Sequence, residues 1–111
     1  MLTQTKQPVP EDYLIVSKID RHAAKDDLVL QLRKRGIDKV ILGGMSANLC
    51  TESHMRELLE QGFEVAVVSD ATAAAIVEEG DGYQAALVNF RFIANTVWTT
   101  EQAVEKINDA K

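Results

Sequence analysis

The residue with the most chemical potential in this chain is its single cysteine, Cys50. It closes the stretch Gly43-Gly44-Met45-Ser46-Ala47-Asn48-Leu49-Cys50, which leads from an apolar run directly into a segment of helical spacing. A thiol placed there meets unpaired backbone N–H groups and the positive end of a helix dipole, and both favour thiolate. The same strand–turn–helix corner carries nucleophiles in other hydrolases. A lone cysteine is also commonly a small buried hydrophobe, so position by itself leaves both roles open.

Other side chains could join it. Lys18 follows the apolar run Tyr13-Leu14-Ile15-Val16. A lysine at that strand end could stabilise a thiolate and move a proton, or simply be solvated. Asp70 ends a third apolar run, where it could act in a site or cap the next segment. His54 lies four residues after Cys50, on the same face of a helix, where an orienting or surface role suits it better than that of a base. The Gly43-Gly44 pair matches neither G-x-G-x-x-G nor G-x-x-x-x-G-K-[ST], so it gives a nucleotide site only weak support. Tyr83, Phe90, Phe92 and Trp98 fall at core-like spacings and need no cofactor to explain them.

The elements that would position these groups alternate. Strands are expected at Tyr13–Val16, Lys39–Leu42, Val65–Val68 and Thr96–Thr99. The first helix carries acids at its start, Asp26-Asp27, and stops at Gly36. A second runs from Leu49 to Gly62, a third opens at Asp81-Gly82, and a fourth passes through Val104 and Ile107 with Thr100 as N-cap. Gly43-Gly44 is expected to form a tight turn, while Ala71–Glu79 matches neither period clearly. Apolar strands alternating with helices imply a doubly wound α/β fold with a mostly parallel sheet. Ligands bind at the carboxyl edge of such sheets, which selects the loops after Val16, Leu42 and Val68.

Composition narrows the function classes. The chain has 111 residues, enough for one domain, and a formal net charge of −5. That charge argues against nucleic acid or anionic lipid as a partner. No apolar run approaches a membrane span, and one cysteine suits a reducing, cytoplasmic setting. Two histidines offer little for a metal site.

The stretch Val40-Ile41-Leu42-Gly43-Gly44-Met45-Ser46-Ala47-Asn48-Leu49-Cys50-Thr51-Glu52-Ser53 is followed by Leu58-Leu59-Glu60-Gln61-Gly62-Phe63-Glu64-Val65 and then Val68-Ser69-Asp70-Ala71. Together these blocks resemble the isochorismatase-like cysteine hydrolases, over about Asp12 to Ile107. The resemblance implies a Rossmann-like α/β hydrolase with an Asp–Lys–Cys triad, acting on a small amide, C–N or related substrate without a cofactor. It matches Cys50 to the nucleophile and Lys18 to the triad lysine. It implies a cis peptide between Met45 and Ser46, with the backbone N–H groups of Ser46 and Cys50 as the oxyanion hole.

The sequence departs from that pattern at its start. The aspartate motif of the family ends a strand that should lie upstream of Met1, and Asp12 and Asp20 do not follow an apolar strand in the required way. The aromatic common after the lysine is also missing from Ile19–Ala24. Residues 1–111 are therefore expected to be a partial domain, truncated at the N-terminus and lacking the strand that would flank the Cys strand. Such an open inner strand predicts a homo-oligomer or association with the missing N-terminal segment. Two other classes compete with a hydrolase: a non-catalytic α/β binding or assembly module, and a flavodoxin-like nucleotide-binding domain.

Overall fold

The computed structural model describes residues 2–3, 13–16 and 21–109, with side-chain surroundings from residue 28 onward. Its main sheet has five strands in the order β1-β2-β3-β4-β7. These are β1 (Leu2–Thr3), β2 (Tyr13–Val16), β3 (Lys39–Met45), β4 (Glu64–Ala73) and β7 (Thr96–Trp98). All neighbours are parallel except the short β1, which runs antiparallel to β2. A two-stranded hairpin of β5 (Ile76–Val77) and β6 (Gly80–Asp81) stands apart. The helices are α1 (Arg21–Lys34), α2 (Glu52–Glu60), α3 (Gly82–Ile93) and α4 (Thr100–Asp109).

Strand alternation divides the core between the two faces of the sheet. Val40, Leu42, Val65 and Val67 meet Leu28 and Leu32 of α1, Met55 and Leu58 of α2, and Ala86 and Phe90 of α3. On the opposite face Ile41 and Val68 pack with Ala103 of α4, beside Trp98 and Ile107. Helices thus cover both faces, three on one and one on the other. The end of α1 is fastened to the end of α2, where Arg33 donates to the Gln61 carbonyl at 2.7 Å and lies 5.0 Å from the Phe63 ring centre. A cation at a helix C-terminus complements the dipole.

Several expectations are corrected. Helix α1 begins at Arg21, so Asp26 and Asp27 lie inside it and its first turn carries no acid. Strand β3 continues through Gly43 and Gly44, which therefore form no turn. The N-cap of α4 is Thr99. Its N–H donates to Gln102 Oε1 at 2.8 Å while its Oγ1 accepts from the Gln102 N–H at 3.1 Å. This reciprocal pair is a capping box, which needs Gln at the third helical position and so selects Thr99 over Thr100. Phe92 is 84% exposed, because α3 turns Ala86 and Phe90 to the core and leaves Phe92 on its outer side. The place beside β3 is not open: β2 pairs with it in parallel from Tyr13↔Lys39 to Val16↔Leu42, satisfying that edge of the ladder.

Phe90 has no exposed surface, and truncating a buried aromatic leaves a cavity among the sheet and three helices. Phe90→Ala is expected to cost about 3–5 kcal/mol of unfolding free energy, read as a lower urea midpoint with little change in slope.

Candidate active site

At the carboxyl edge of the sheet β3 and β4 change register. Leu42 pairs with Val67, but Gly44 pairs with Thr72 and Met45 with Ala73. Strand β4 therefore spends Val68 to Ala71 opposite Gly43 alone and bulges outward. A Cβ on Gly43 would lie 3.2 Å from the Ala71 carbonyl oxygen and 3.3 Å from its Cβ, and Gly44 has φ 129°, so glycine suits both positions. The bulge is held by three hydrogen bonds around Ser69. Its carbonyl accepts from Thr72 Oγ1 at 2.7 Å and Tyr83 Oη at 3.0 Å, and its own hydroxyl donates to the Trp98 carbonyl at 3.3 Å.

The bulge places Asp70 beside the start of α4, at the same carboxyl edge of the sheet. Asp70 Oδ1 accepts from both the Thr100 hydroxyl and the Thr100 N–H at 2.7 Å. These bonds hold its carboxyl below the usual carboxylate range. Asp70 does not cap the segment that follows it, as the sequence suggested, but the first turn of α4, thirty residues further on.

Beyond β3 the Met45–Ser46 peptide is cis, and Ala47–Thr51 forms one π-helical turn leading into α2. The Ser46 carbonyl accepts from the N–H groups of Leu49 (3.0 Å) and Thr51 (3.1 Å), and not from the intervening Cys50. Ala47 and Thr51 are buried, while Cys50 is partly exposed at the mouth of the turn. Lys18, Asp12 and Asp20 lie outside the described residues, so Lys18 is not placed relative to Cys50.

Residues that the sequence did not single out surround this turn. Glu52, two residues after Cys50, is bonded by Arg56 at 3.0 Å and by Asn89 Nδ2 at 3.1 and 3.2 Å, which ties α2 to α3. The β5–β6 hairpin and the start of α3 form an open groove of about 320 Å³ with Ser46, Asn48 and Leu49. Gly82 is obligatory there: a Cβ would sit 2.8 Å from Asn48 Nδ2 and 2.9 Å from the Ala75 carbonyl oxygen. The Asp81-Gly82 pair signals a helix start in the sequence, but nothing local says that this start folds against the Cys turn.

His54 is buried, at 3% exposure, rather than on the surface. Its Nε2 has no hydrogen-bond partner, and burial lowers its pKa. Among the described residues no group of three or more His, Cys, Asp or Glu is placed to hold a metal ion, and no helix is long and apolar enough to cross a membrane.

The isochorismatase domain model matches residues 3–102. The chain belongs to the isochorismatase family. It is 37% identical over 84 residues to the isochorismatase family protein YwoC of Bacillus subtilis (strain 168), covering 73% of this chain and 41% of that protein. Against YecD of Escherichia coli O157:H7 it is 47% identical over 53 residues, covering 48% of this chain and 28% of that protein. Its fold superposes on a cysteine hydrolase from Pseudomonas syringae pv. phaseolicola 1448A with a TM-score of 0.72 at 26% identity, covering 77% of this chain and 44% of that one. An isochorismatase-like hydrolase from Alkaliphilus metalliredigens gives 0.64 at 32% identity, covering 71% and 42%. The nicotinamidase PncA of Bacillus subtilis gives 0.51 at 29%, covering 59% and 34%. The chain thus spans less than half the length of each of these relatives.

The buried imidazole makes stability depend on pH. His54 binds a proton less readily folded than unfolded, so its contribution is complete above the usual histidine value of 6.5 and is lost as pH falls from there through the lower folded value. His54→Phe removes both the titration and the unpartnered Nε2. Between about pH 7.5 and about pH 5.5 the urea midpoint of the parent chain is expected to fall, and that of His54→Phe to fall by less.

Proposed function

We propose that this chain is the nucleophile-bearing part of a hydrolase that cleaves a small amide or related C–N bond, with Cys50 as the attacking thiol. The observation that carries this is the π-helical turn. It presents a partly exposed Cys50 at the entrance of α2 while the Ser46 carbonyl bypasses the Cys50 N–H. A side chain that attacks and a backbone donor that receives the resulting charge then belong to one residue.

The thiol proton passes to a carboxylate base, and the sulfur forms a bond to the carbonyl carbon. The oxygen of the tetrahedral adduct is stabilised by the N–H groups of Ser46 and Cys50, each worth about 3 kcal/mol in such holes. Collapse breaks the C–N bond, and the departing amine takes the proton. Water then hydrolyses the thioester and returns the thiol. Lys18 is assigned the charge-stabilising role beside sulfur and base. The base is assigned to an aspartate brought by an N-terminal segment that associates with this chain. Family likeness supports this chemistry: solved relatives include a cysteine hydrolase and a nicotinamidase.

One observation favours a second role, a non-catalytic binding or assembly module. The strand paired with β3 is Tyr13–Val16, and the residues after it are Ser17 and Lys18, with no carboxylate at the strand end.

Ammonia release from small primary amides, measured with the chain alone and with an Asp-bearing N-terminal segment of a relative added, separates the two. The hydrolase predicts activity that rises with the added segment and falls at least about 10³-fold in Cys50→Ala and about 10²-fold in Lys18→Met. No release under either condition supports the binding module.

A further inference from the structure

Helix α3 carries a second apolar face besides the one it packs on the sheet. Ala86 and Phe90 are buried, and Ala85, Val88 and Phe92 run along the opposite side at spacings of three and four residues. Val88 is 48% and Phe92 84% exposed, and Arg91 is the single charged residue of the helix. A helix face turned to water ordinarily carries polar and charged side chains instead. The apolar surface continues past the start of α3, because Ala85, Val77 and Leu49 border one open groove. Ile76, Val77 and Leu49 are each more than half exposed. Phe92 alone leaves roughly 150 Å² of ring in water, and the whole patch is on the order of 500 Å². A standard interface takes about 800 Å² from each partner, a little over half of it apolar. The patch therefore has the extent of one side of a stable dimer.

We infer that this face docks on the same face of a second copy of the chain, with the two α3 helices antiparallel about a two-fold axis at Val88. Helix geometry selects the arrangement. Successive residues turn by about 100°, so with Val88 at the centre, Ala85 and Phe92 fall on one flank and Gln84 and Arg91 on the other. An antiparallel two-fold keeps the flanks and exchanges the ends. Phe92 then meets the partner's Ala85, a large side chain against a small one, while Arg91 meets the partner's Gln84. Charge favours the same order. Arg91 lies near the end of α3, and Glu78, Glu79 and Asp81 precede its start, so the cation of each copy faces the acidic end of the other. The two helix dipoles also oppose. A parallel pair would set Arg91 against Arg91. This surface differs from the open strand edge expected from sequence: β2 occupies that edge, whereas the apolar face lies on the side of α3 turned away from the sheet. The partner's Phe92, seated over Ala85, adds a wall to the open groove. The inference does not depend on the role of Cys50.

Sedimentation equilibrium of the full chain over a wide range of concentration is expected to show a reversible dimer. Phe92→Glu should raise its dissociation constant at least about 30-fold. The side chain is exposed, so the urea midpoint of this variant should stay near that of the parent. Val104→Glu adds the same charge at an apolar position that is 50% exposed, on α4 at the other face of the sheet. It should change the dissociation constant by no more than about twofold. Orientation is read separately by mixing Gln84→Cys chains with Arg91→Cys chains, each also carrying Cys50→Ala, under mild oxidation. The mixed disulfide is expected to exceed either symmetric one. A monomer at every concentration, an assembly that Phe92→Glu leaves intact, an equal loss in Val104→Glu, or a predominance of symmetric disulfides would each overturn the inference.

Discussion

The pairing of β3 with β4 is the constraint from which the site follows. In the middle of the sheet the two strands run in strict parallel register, from Lys39↔Glu64 to Leu42↔Val67. Beyond Leu42 the backbone of β3 passes so close to Ala71 that a side chain at position 43 would press on it. Strand β4 takes up the difference by bulging, and pairing resumes only at Thr72. The end of β3 is thereby still paired with β4, and the turn carrying Cys50 starts from a strand rather than from a free loop.

The bulge also connects parts of the molecule that are far apart in sequence. Ser69 receives Tyr83 from α3 and donates to the end of β7, while Asp70 is delivered to the first turn of α4. One irregular stretch of β4 thus ties α3, the edge strand and the last helix to the strand that leads to Cys50. Bulges commonly occur next to active sites because they re-aim a few side chains without disturbing the rest of the sheet. Here the residue re-aimed is Asp70, for which the sequence leaves a site role and a cap both open and which serves in the structure as a cap on α4.

Strong periodicity made most of the fold legible. The apolar runs at 39–42 and 65–68 are strands, and the spacing of Met55 with Leu58 and of Ala86 with Phe90 marks the faces that α2 and α3 bury. What escaped depends on distant contacts. Gly43 and Gly44 resemble a turn locally, yet they extend a strand because β4 approaches them. Thr99 and Thr100 are equivalent caps until Gln102 chooses between them, and Phe92 differs from Phe90 only in which side of α3 faces the sheet. The Cys turn was conspicuous because its chemistry is local. The groove wall was not, because the hairpin reaches that turn only through the fold.

The family relationship and the geometry of the turn meet in one claim, that Cys50 forms a covalent bond to substrate. Intact-mass measurement after acid quenching tests it most directly, using a small acetylated amide with an activated leaving group and an added Asp-bearing N-terminal segment. A covalent hydrolase predicts one transient acetyl group carried by Cys50 and absent from Cys50→Ala. Turnover with no adduct at any quench time, or an adduct that persists unchanged in Cys50→Ala, would contradict it.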